Sequence, residues 1–322
     1  MKKLAAEVWG ACDGQQVKQQ TCGKGRVFWG VTLREILLAD GVAPDFGHSG
    51  NDAFIDVIHR ATADTDLYFL ANRKGQAATV EATFRIRGRQ PELWDPLSGQ
   101  RRDLPEFKST NGCTSVPLEF EPYGSMFVVF RKKIPDSEVR NRNEAAANFL
   151  KFKPLQEISG PWTVQFDPLW FYPTEGLSGD QAKGLMVFDQ LEDWTKRPEP
   201  AVQYFSGTAV YRKTLGLADP STLQNPKSKI YLDLGTVKET AKMRLNGKDL
   251  GVVWCPPWRV EITGAIKPGD NMLEIEVVNL WPNRLLGDSK LPAGQGRTHT
   301  NFEAQSLLSA GLLGPVRVMA AQ

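Results

Sequence analysis

The chain has 322 residues, of which 41% are hydrophobic, and its 39 basic residues nearly balance 37 acidic residues, leaving a formal net charge of +2. This length is typical of two or three domains, and the balanced charge lacks the concentrated positive face that nucleic-acid binding requires. No apolar run approaches the ~18 residues of a membrane-spanning helix, so we expect neither nucleic acid nor a membrane as a partner. The 21 prolines and 29 glycines suit a turn-rich β protein.

The N-terminal segment, residues 1–52, predicts one strand and one helix. Residues 26–30 form a short apolar strand pattern that ends in glycine, and Leu33, Ile36 and Leu37 then share one helical face. A single strand–helix unit has too little area to bury its own faces. We therefore expect residues 1–52 to be a βα remnant of a larger domain.

Residues 1–12 match the pattern of a bacterial lipoprotein signal peptide only in part. Glu7 interrupts an apolar stretch that is already shorter than the ~7–15 residues such a signal needs, so no signal peptide is predicted. The four cysteines are too few and too scattered for a disulfide framework: Cys12, Cys22, Cys113 and Cys255. The pattern favours reduced thiols, with a local bridge between Cys12 and Cys22 as the alternative.

Residues 53–133 predict a small antiparallel β-sandwich. Polar turns separate four runs that either alternate or are continuously apolar, at 54–59, 66–71, 79–86 and 125–130. Residues 134–152 are charged and only weakly helical in pattern, which is typical of a linker.

Residues 153–322 predict a second antiparallel sandwich with strong turn signals. The pair Asn246-Gly247 is typical of a tight hairpin, and residues 268–271 (PGDN) are typical of a reverse turn. A long loop is predicted over residues 177–200, crossing one end of the sandwich, where binding groups usually lie.

The most specific feature of the chain is the ordered set of strings between Tyr204 and Asp288. These strings are YFSGTAVYR (204–212), IYLDLG (230–235), MRLNGKDLGVVW (243–254) and NMLEIEVVNLWPNRLLGD (271–288). They resemble the galactose-binding-like jelly-roll domain appended to family 2-like glycoside hydrolases, most closely the version at the C-terminus of family 106 α-L-rhamnosidases. Two further strings are similar to parts of such enzymes: GKGRVFWG (23–30) to the last strand of a flavodoxin-like domain, and ELWDPLSG (92–99) to a small sandwich that follows catalytic barrels.

The resemblance implies a mainly β chain that is the accessory C-terminal portion of a glycoside hydrolase similar to α-L-rhamnosidases. It implies two partners: an oligo- or polysaccharide, and the catalytic barrel of the same parent protein, which we expect to be periplasmic or secreted. The chain has no length left over for a barrel of ~250 residues. Two alternatives stay open, an independent carbohydrate-binding protein and a purely structural docking module that binds no sugar.

No catalytic residue is predicted. Glycoside hydrolysis needs two carboxyl groups roughly 5 to 10 Å apart, and no motif fixes such a pair among the loop carboxylates Asp167, Glu175, Asp189, Glu192, Asp193 and Asp288. His59 and His299 are interpreted as hydrogen-bonded structural residues. No cofactor is predicted, because a structural Ca²⁺, common in jelly-roll carbohydrate modules, would need six to eight oxygen ligands that the sequence does not reveal.

A sugar site is the functional site that the sequence predicts. Sugars are recognised by aromatic stacking together with a few polar groups, and the candidates of these types are Trp254, Trp258, Arg259, Asn283, Arg284 and Asp288. They form one site only if loops 253–259 and 281–288 converge at one end of the sandwich. The structural alternative is that the tryptophans fill the core and an Arg284–Asp288 pair clamps its own loop.

Overall fold

The computed structural model describes residues 2–50, 52–135, 147–172, 176–217, 229–292, 294–298 and 306–321. It divides into two compact units, unit 1 (Met1–Asn148) and unit 2 (Phe149–Gln322). The boundary falls within the predicted linker, residues 134–152, of which 136–146 lie outside the described residues. No helix in the described ranges is long and apolar enough to cross a membrane.

The first part of unit 1 is a helix, a hairpin and a second helix: α1 (Lys2–Trp9), β1 (Gln19–Cys22), β2 (Gly25–Phe28) and α2 (Leu33–Ala39). The predicted strand and helix correspond to β2 and α2. Strand β2 pairs antiparallel with β1, and a reciprocal pair of bonds between Thr32 and Glu35 caps α2. Within residues 2–45 only Cys12 is buried. All four cysteines are free thiols.

The rest of unit 1 is an antiparallel sandwich. Its strands are β3 (Phe46–Ser49), β4 (Ile55–Ala61), β5 (Asp66–Asn72), β6 (Ala78–Phe84), β7 (Arg89–Trp94), β8 (Arg101–Asp103), β9 (Lys108–Thr110), β10 (Cys113–Phe120) and β11 (Ser125–Lys133). They form a four-stranded sheet (β3-β6-β10-β9) and a five-stranded sheet (β4-β5-β11-β7-β8). Alternate strand residues are buried, and Tyr68, Phe84 and Phe130 pack ring against ring in the core.

Unit 2 is a larger antiparallel sandwich. Its strands are β12 (Phe152–Glu157), β13 (Trp162–Phe166), β14 (Leu185–Phe188), β15 (Thr208–Gly216), β16 (Ile230–Asp233), β17 (Thr236–Lys238), β18 (Thr240–Leu245), β19 (Lys248–Val253), β20 (Arg259–Glu261), β21 (Asp270–Val278), β22 (Gly311–Gly314) and β23 (Arg317–Ala321). A six-stranded sheet (β14-β13-β15-β21-β18-β19) and a four-stranded sheet (β12-β23-β16-β20) enclose one core. The predicted class, mainly β with two antiparallel sandwiches, is confirmed.

The turn signals and the core of unit 2 follow from the sequence in most places. Asn246 and Gly247 both have positive φ and join β18 to β19, as the hairpin signal predicts. Residues 177–200 differ from the prediction of a long loop, because residues 185–188 form β14 at the edge of the six-stranded sheet. Met186 and Phe188 are buried there while Val187 is exposed, an alternation too short for its period to stand out.

Strand register brings four segments to one end of unit 2. Strands β13, β19 and β21 run in the same direction, since each is separated from the next by one antiparallel strand. The C-terminal ends of these three strands therefore lie at the same end of the sheet. We call the segments that meet there the Trp281 end: residues 167–172, 203–207, 254–258, and 279–292 together with 294–298.

Candidate functional site

A helix crosses the Trp281 end, and side-chain hydrogen bonds hold it in place. Helix α5, the third helix of unit 2 after α3 (Gly179–Ala182) and α4 (Pro200–Gln203), spans Pro282–Ser289. Asn279 accepts a bond from the Gly207 amide at 2.9 Å. Ser206 Oγ donates to the Leu280 carbonyl at 2.8 Å and accepts from the Arg284 amide at 3.1 Å. The start of α5 is thereby fixed to the segment that precedes β15.

Asn283 is an anchor in this structure. It is buried, its Nδ2 donates to the Leu308 carbonyl at 2.7 Å, and its Oδ1 accepts from the Leu308 amide at 2.7 Å. Both polar groups of the amide are thus engaged with one backbone residue. This predicted sugar ligand ties α5 to residues 306–310.

Arg284 and Asp288 form a buried ion pair one turn apart on α5, with Nη2 and Oδ1 2.9 Å apart. Asp288 Oδ2 also accepts bonds from the Arg297 amide at 3.0 Å and from Thr298, by its amide at 2.8 Å and its Oγ1 at 2.7 Å. Burial lowers the pKa of Arg284, an effect that the nearby Asp288 carboxylate opposes. The pair therefore fixes the chain that follows α5.

Tyr172 lies beside two guanidinium groups. The guanidinium carbon of Arg284 is 3.4 Å from the centre of the Tyr172 ring, and that of Arg297 is 4.1 Å away. Burial raises the pKa of Tyr172. Tyr172 Oη and Arg284 Nε are buried, and neither has a hydrogen-bond partner among the described residues. Arg297 is exposed, and its Nη1 donates to the Leu169 carbonyl.

Exposed aromatic surface adjoins this cluster. Trp281 is 46% exposed and meets the half-buried Trp170 edge to face, with ring centres 4.9 Å apart. Lys290 Nζ donates to Tyr204 Oη at 2.8 Å and lies 4.8 Å from the centre of that ring. The arrangement combines apolar ring surface with cationic donors, the two kinds of group that sugar recognition uses.

Sequence reasoning missed five of these residues: Trp170, Tyr172, Tyr204, Lys290 and Arg297. One signal was available, because residues 169–172 (LWFY) place three aromatic side chains directly after a strand pattern. The ring partners of Trp170 and Tyr172 lie more than 100 residues further along the chain, where pattern alone cannot match them.

The other predicted residues lie on loop 253–259. Trp254 is 62% exposed and follows β19 at the Trp281 end, two strands from β21 and so about 10 Å away. Trp258 is half-buried and packs against the core. Arg259 bonds Asp233 at 2.8 and 2.9 Å, and its guanidinium carbon lies 4.0 Å from the Phe152 ring centre. The structure thus brings Trp254 to the same end as α5, while Trp258 and Arg259 are engaged with the sandwich itself. The sugar site remains a prediction.

Comparison with known proteins identifies the relationship. Residues 1–109 match the model of glycoside hydrolase family 106, described as alpha-L-rhamnosidase. Over 99% of its length the chain matches the structure of a rhamnosidase from Novosphingobium sp. PP1Y, with a TM-score of 0.80 and 31% identity. The chain is related to the family 106 glycoside hydrolases. The predicted resemblance is confirmed.

The relatives are much longer than the chain. It covers 28% of the Novosphingobium rhamnosidase. A putative beta-glucuronidase of Formosa agariphila is 35% identical over 277 residues, which are 76% of this chain and 22% of that protein. The chain therefore spans about a quarter of the length of these relatives.

Glycoside hydrolases use a pair of carboxyl groups in catalysis, so the surroundings of the loop carboxylates bear on whether any of them is reactive. Asp167 accepts from the Leu169 amide at 2.9 Å, and Glu192 pairs with Arg197 at 2.9 Å. For Asp193, burial opposes ionisation, but hydrogen bonds from Ser309, Ala310 and Thr195 lower its pKa below the ordinary value. A general acid needs a raised pKa, so the surroundings of Asp193 do not suit that role.

Other candidates add no reactive group. Asp189 is exposed, whereas Glu175 and His299 lie outside the described residues. His59 bonds Asp45 at 2.9 Å and Asp66 at 3.0 Å within unit 1. No group of three or more metal-binding side chains of the His, Cys, Asp or Glu type occurs in the described part of the chain.

Proposed function

We propose that this chain is an accessory, carbohydrate-recognising part of a glycoside hydrolase of the α-L-rhamnosidase type. The parent acts in polysaccharide breakdown, and its catalytic barrel lies in sequence that this chain does not include. The family relationship supports the class of parent. Structural contacts of four loop carboxylates, Asp167, Glu192, Asp193 and Asp288, support an accessory role.

The exposed tryptophans of the Trp281 end carry the proposal of sugar recognition. Trp254 and Trp281 leave large apolar areas in water at the same end of unit 2, although burial of such a ring is strongly favourable. The flat face of a pyranose offers the apolar partner that each ring lacks. Nearby cationic donors, among them Arg297 and Lys290, suit the hydroxyl groups of the sugar.

Alanine substitution tests the proposal. A stacked tryptophan contributes about 1–2 kcal/mol, so Trp281→Ala should weaken glycan binding roughly tenfold, 1.4 kcal/mol being a factor of ten. The matched control is Met272→Ala, because Met272 is 55% exposed and lies at the opposite end of β21. Affinity would be measured by calorimetric titration and affinity electrophoresis with a panel of neutral and acidic plant and algal polysaccharides. Absence of binding to every polysaccharide, or equal losses in both variants, would contradict the proposal.

A barrel-supporting role is the second candidate, favoured by the apolar surface of residues 2–45. Trp29, Leu33 and Leu38 are all about half exposed or more, and exposed apolar groups of this density mark interaction surfaces. The proposed partner is the remainder of the parent enzyme. Leu33→Glu with Leu38→Glu should abolish association with the separately purified catalytic part of the parent and leave glycan binding by unit 2 unchanged. Unaltered association would exclude this surface.

A further inference from the structure

Arg297 differs from every other arginine that the structure describes in unit 2. Six of these arginines have a carboxylate oxygen within 3.2 Å: Arg197, Arg212, Arg244, Arg259, Arg284 and Arg317. Arg297 is the seventh, and in the described residues its side chain has no carboxylate partner. It is also exposed at the Trp281 end. Arg297, at the candidate site, is therefore the described arginine of unit 2 whose charge no described carboxylate neutralises directly.

The Arg297 side chain is held in position although it is exposed. Its guanidinium packs 4.1 Å from the Tyr172 ring centre, and its Nη1 donates to the Leu169 carbonyl. Its backbone amide is fixed by Asp288. Much of the side-chain entropy that a mobile surface arginine would lose on binding has thus been lost already. The remaining N–H groups form the planar fork that suits a bidentate oxyanion.

The electrostatics of the cluster favour an anion. The guanidinium of Arg284 lies beside the same Tyr172 ring, and Lys290 adds a third cation at this end. Among the described residues the carboxylate within the cluster is Asp288, which is already engaged with Arg284, the Arg297 amide and Thr298. Asp167, at the start of the neighbouring loop, accepts from Leu169. Within the described ranges, the Arg297 side chain therefore has no local carboxylate of its own as a counter-charge.

We propose that Arg297 binds an oxyanion substituent of a saccharide, a uronic acid carboxylate or a sulfate ester, while the sugar ring stacks on Trp281. The inference rests on the proposed function and narrows the glycan class to acidic saccharides. Both substituents offer two coplanar oxygens to a guanidinium fork, so they share the same recognition chemistry.

Paired probes separate the charge from the sugar. Oligogalacturonate would be compared with its methyl ester, and a sulfated galactan oligosaccharide with its desulfated form. The wild-type chain should bind the acidic member of at least one pair about tenfold more tightly, and the pair that responds identifies the substituent. Arg297→Gln should remove the preference, and Arg297→Lys should retain part of it, because lysine keeps the charge but loses the fork. Arg212→Gln is the control, since Arg212 is already paired with Glu274 on β21.

The outcomes distinguish this inference from the function on which it rests. Equal affinity for acidic and neutral probes, unchanged in Arg297→Gln, would refute the role of Arg297 and leave sugar recognition standing. If the chain bound none of the probes and no other polysaccharide, both the role of Arg297 and sugar recognition would be refuted. Melting temperatures would be recorded for each variant. If Arg297→Gln fails to fold, Arg297→Lys decides: an acidic preference equal to that of the wild type would contradict the requirement for the fork.

Discussion

Removal of the Asp288 carboxylate is the perturbation whose consequence the structure defines best. Asp288→Ala deletes the partner of a buried guanidinium and the acceptor for the Arg297 amide and Thr298. An ion pair broken from one side in a buried setting costs about 3–5 kcal/mol, because the other charge is left without compensation. For a unit of roughly this size each kcal/mol lowers the melting temperature by about 2–4 °C. We expect a loss on the order of 10 °C.

The assay is differential scanning calorimetry of the full chain, applied to Asp288→Ala, to Arg284→Met and to the double variant Arg284→Met/Asp288→Ala. Removing both charges leaves no unpaired buried ion, so the double variant should be more stable than Asp288→Ala alone. A destabilisation by Asp288→Ala below about 1 kcal/mol, or additive effects in the double variant, would refute the reasoning that the pair acts as a buried clamp.

Three further outcomes are expected. The chain alone should not hydrolyse aryl α-L-rhamnosides or aryl β-galactosides, and turnover that disappears when one loop carboxylate is changed would overturn the accessory assignment. His59→Ala should destabilise unit 1 by about 1–3 kcal/mol in urea unfolding, because it removes the hydrogen-bonded link between Asp45 and Asp66 and the ring stacked on Tyr68; an unchanged midpoint would contradict this. Trp258→Ala should lower the melting temperature and leave glycan affinity unchanged, because Trp258 packs against the core. Trp254→Ala should lower glycan affinity and leave the melting temperature unchanged, because Trp254 is exposed. The opposite pattern would place Trp258 in the site.

The sandwiches could be predicted because their signals are local. Alternation along β5, β10 and β21 and the Asn246-Gly247 turn each depend on neighbouring residues, and burial follows the same period. The family relationship was also readable, because the strings from Tyr204 to Asp288 are specific in order and spacing. The short strand β14 was missed because four residues carry too little of a period.

The candidate site was predictable only in part, because its contacts are long-range. Asn283, Arg284 and Asp288 were found by residue type, but Arg284 packs against Tyr172 and bonds the Trp170 carbonyl, both more than 100 residues away in sequence. Trp258 and Arg259 were placed beside a sugar on chemical type alone. Their engagement with the core and with Asp233 depends on how β20 pairs with β16, which sequence pattern does not specify.

The two readings of the Arg284–Asp288 pair, sugar ligand and loop clamp, lead to different sites. In the structure Asp288 bonds the backbone of Arg297, and Tyr172 packs against both guanidinium groups. A buried clamp therefore holds the backbone of Arg297, an exposed cation that the sequence pattern does not mark. If Arg297 binds an acidic sugar, Asp288→Ala should lower affinity for the acidic probe more than for its neutral partner, because it removes the acceptor that holds the Arg297 amide and leaves Trp281 in place. Equal losses for both probes would mean that the clamp supports the fold alone.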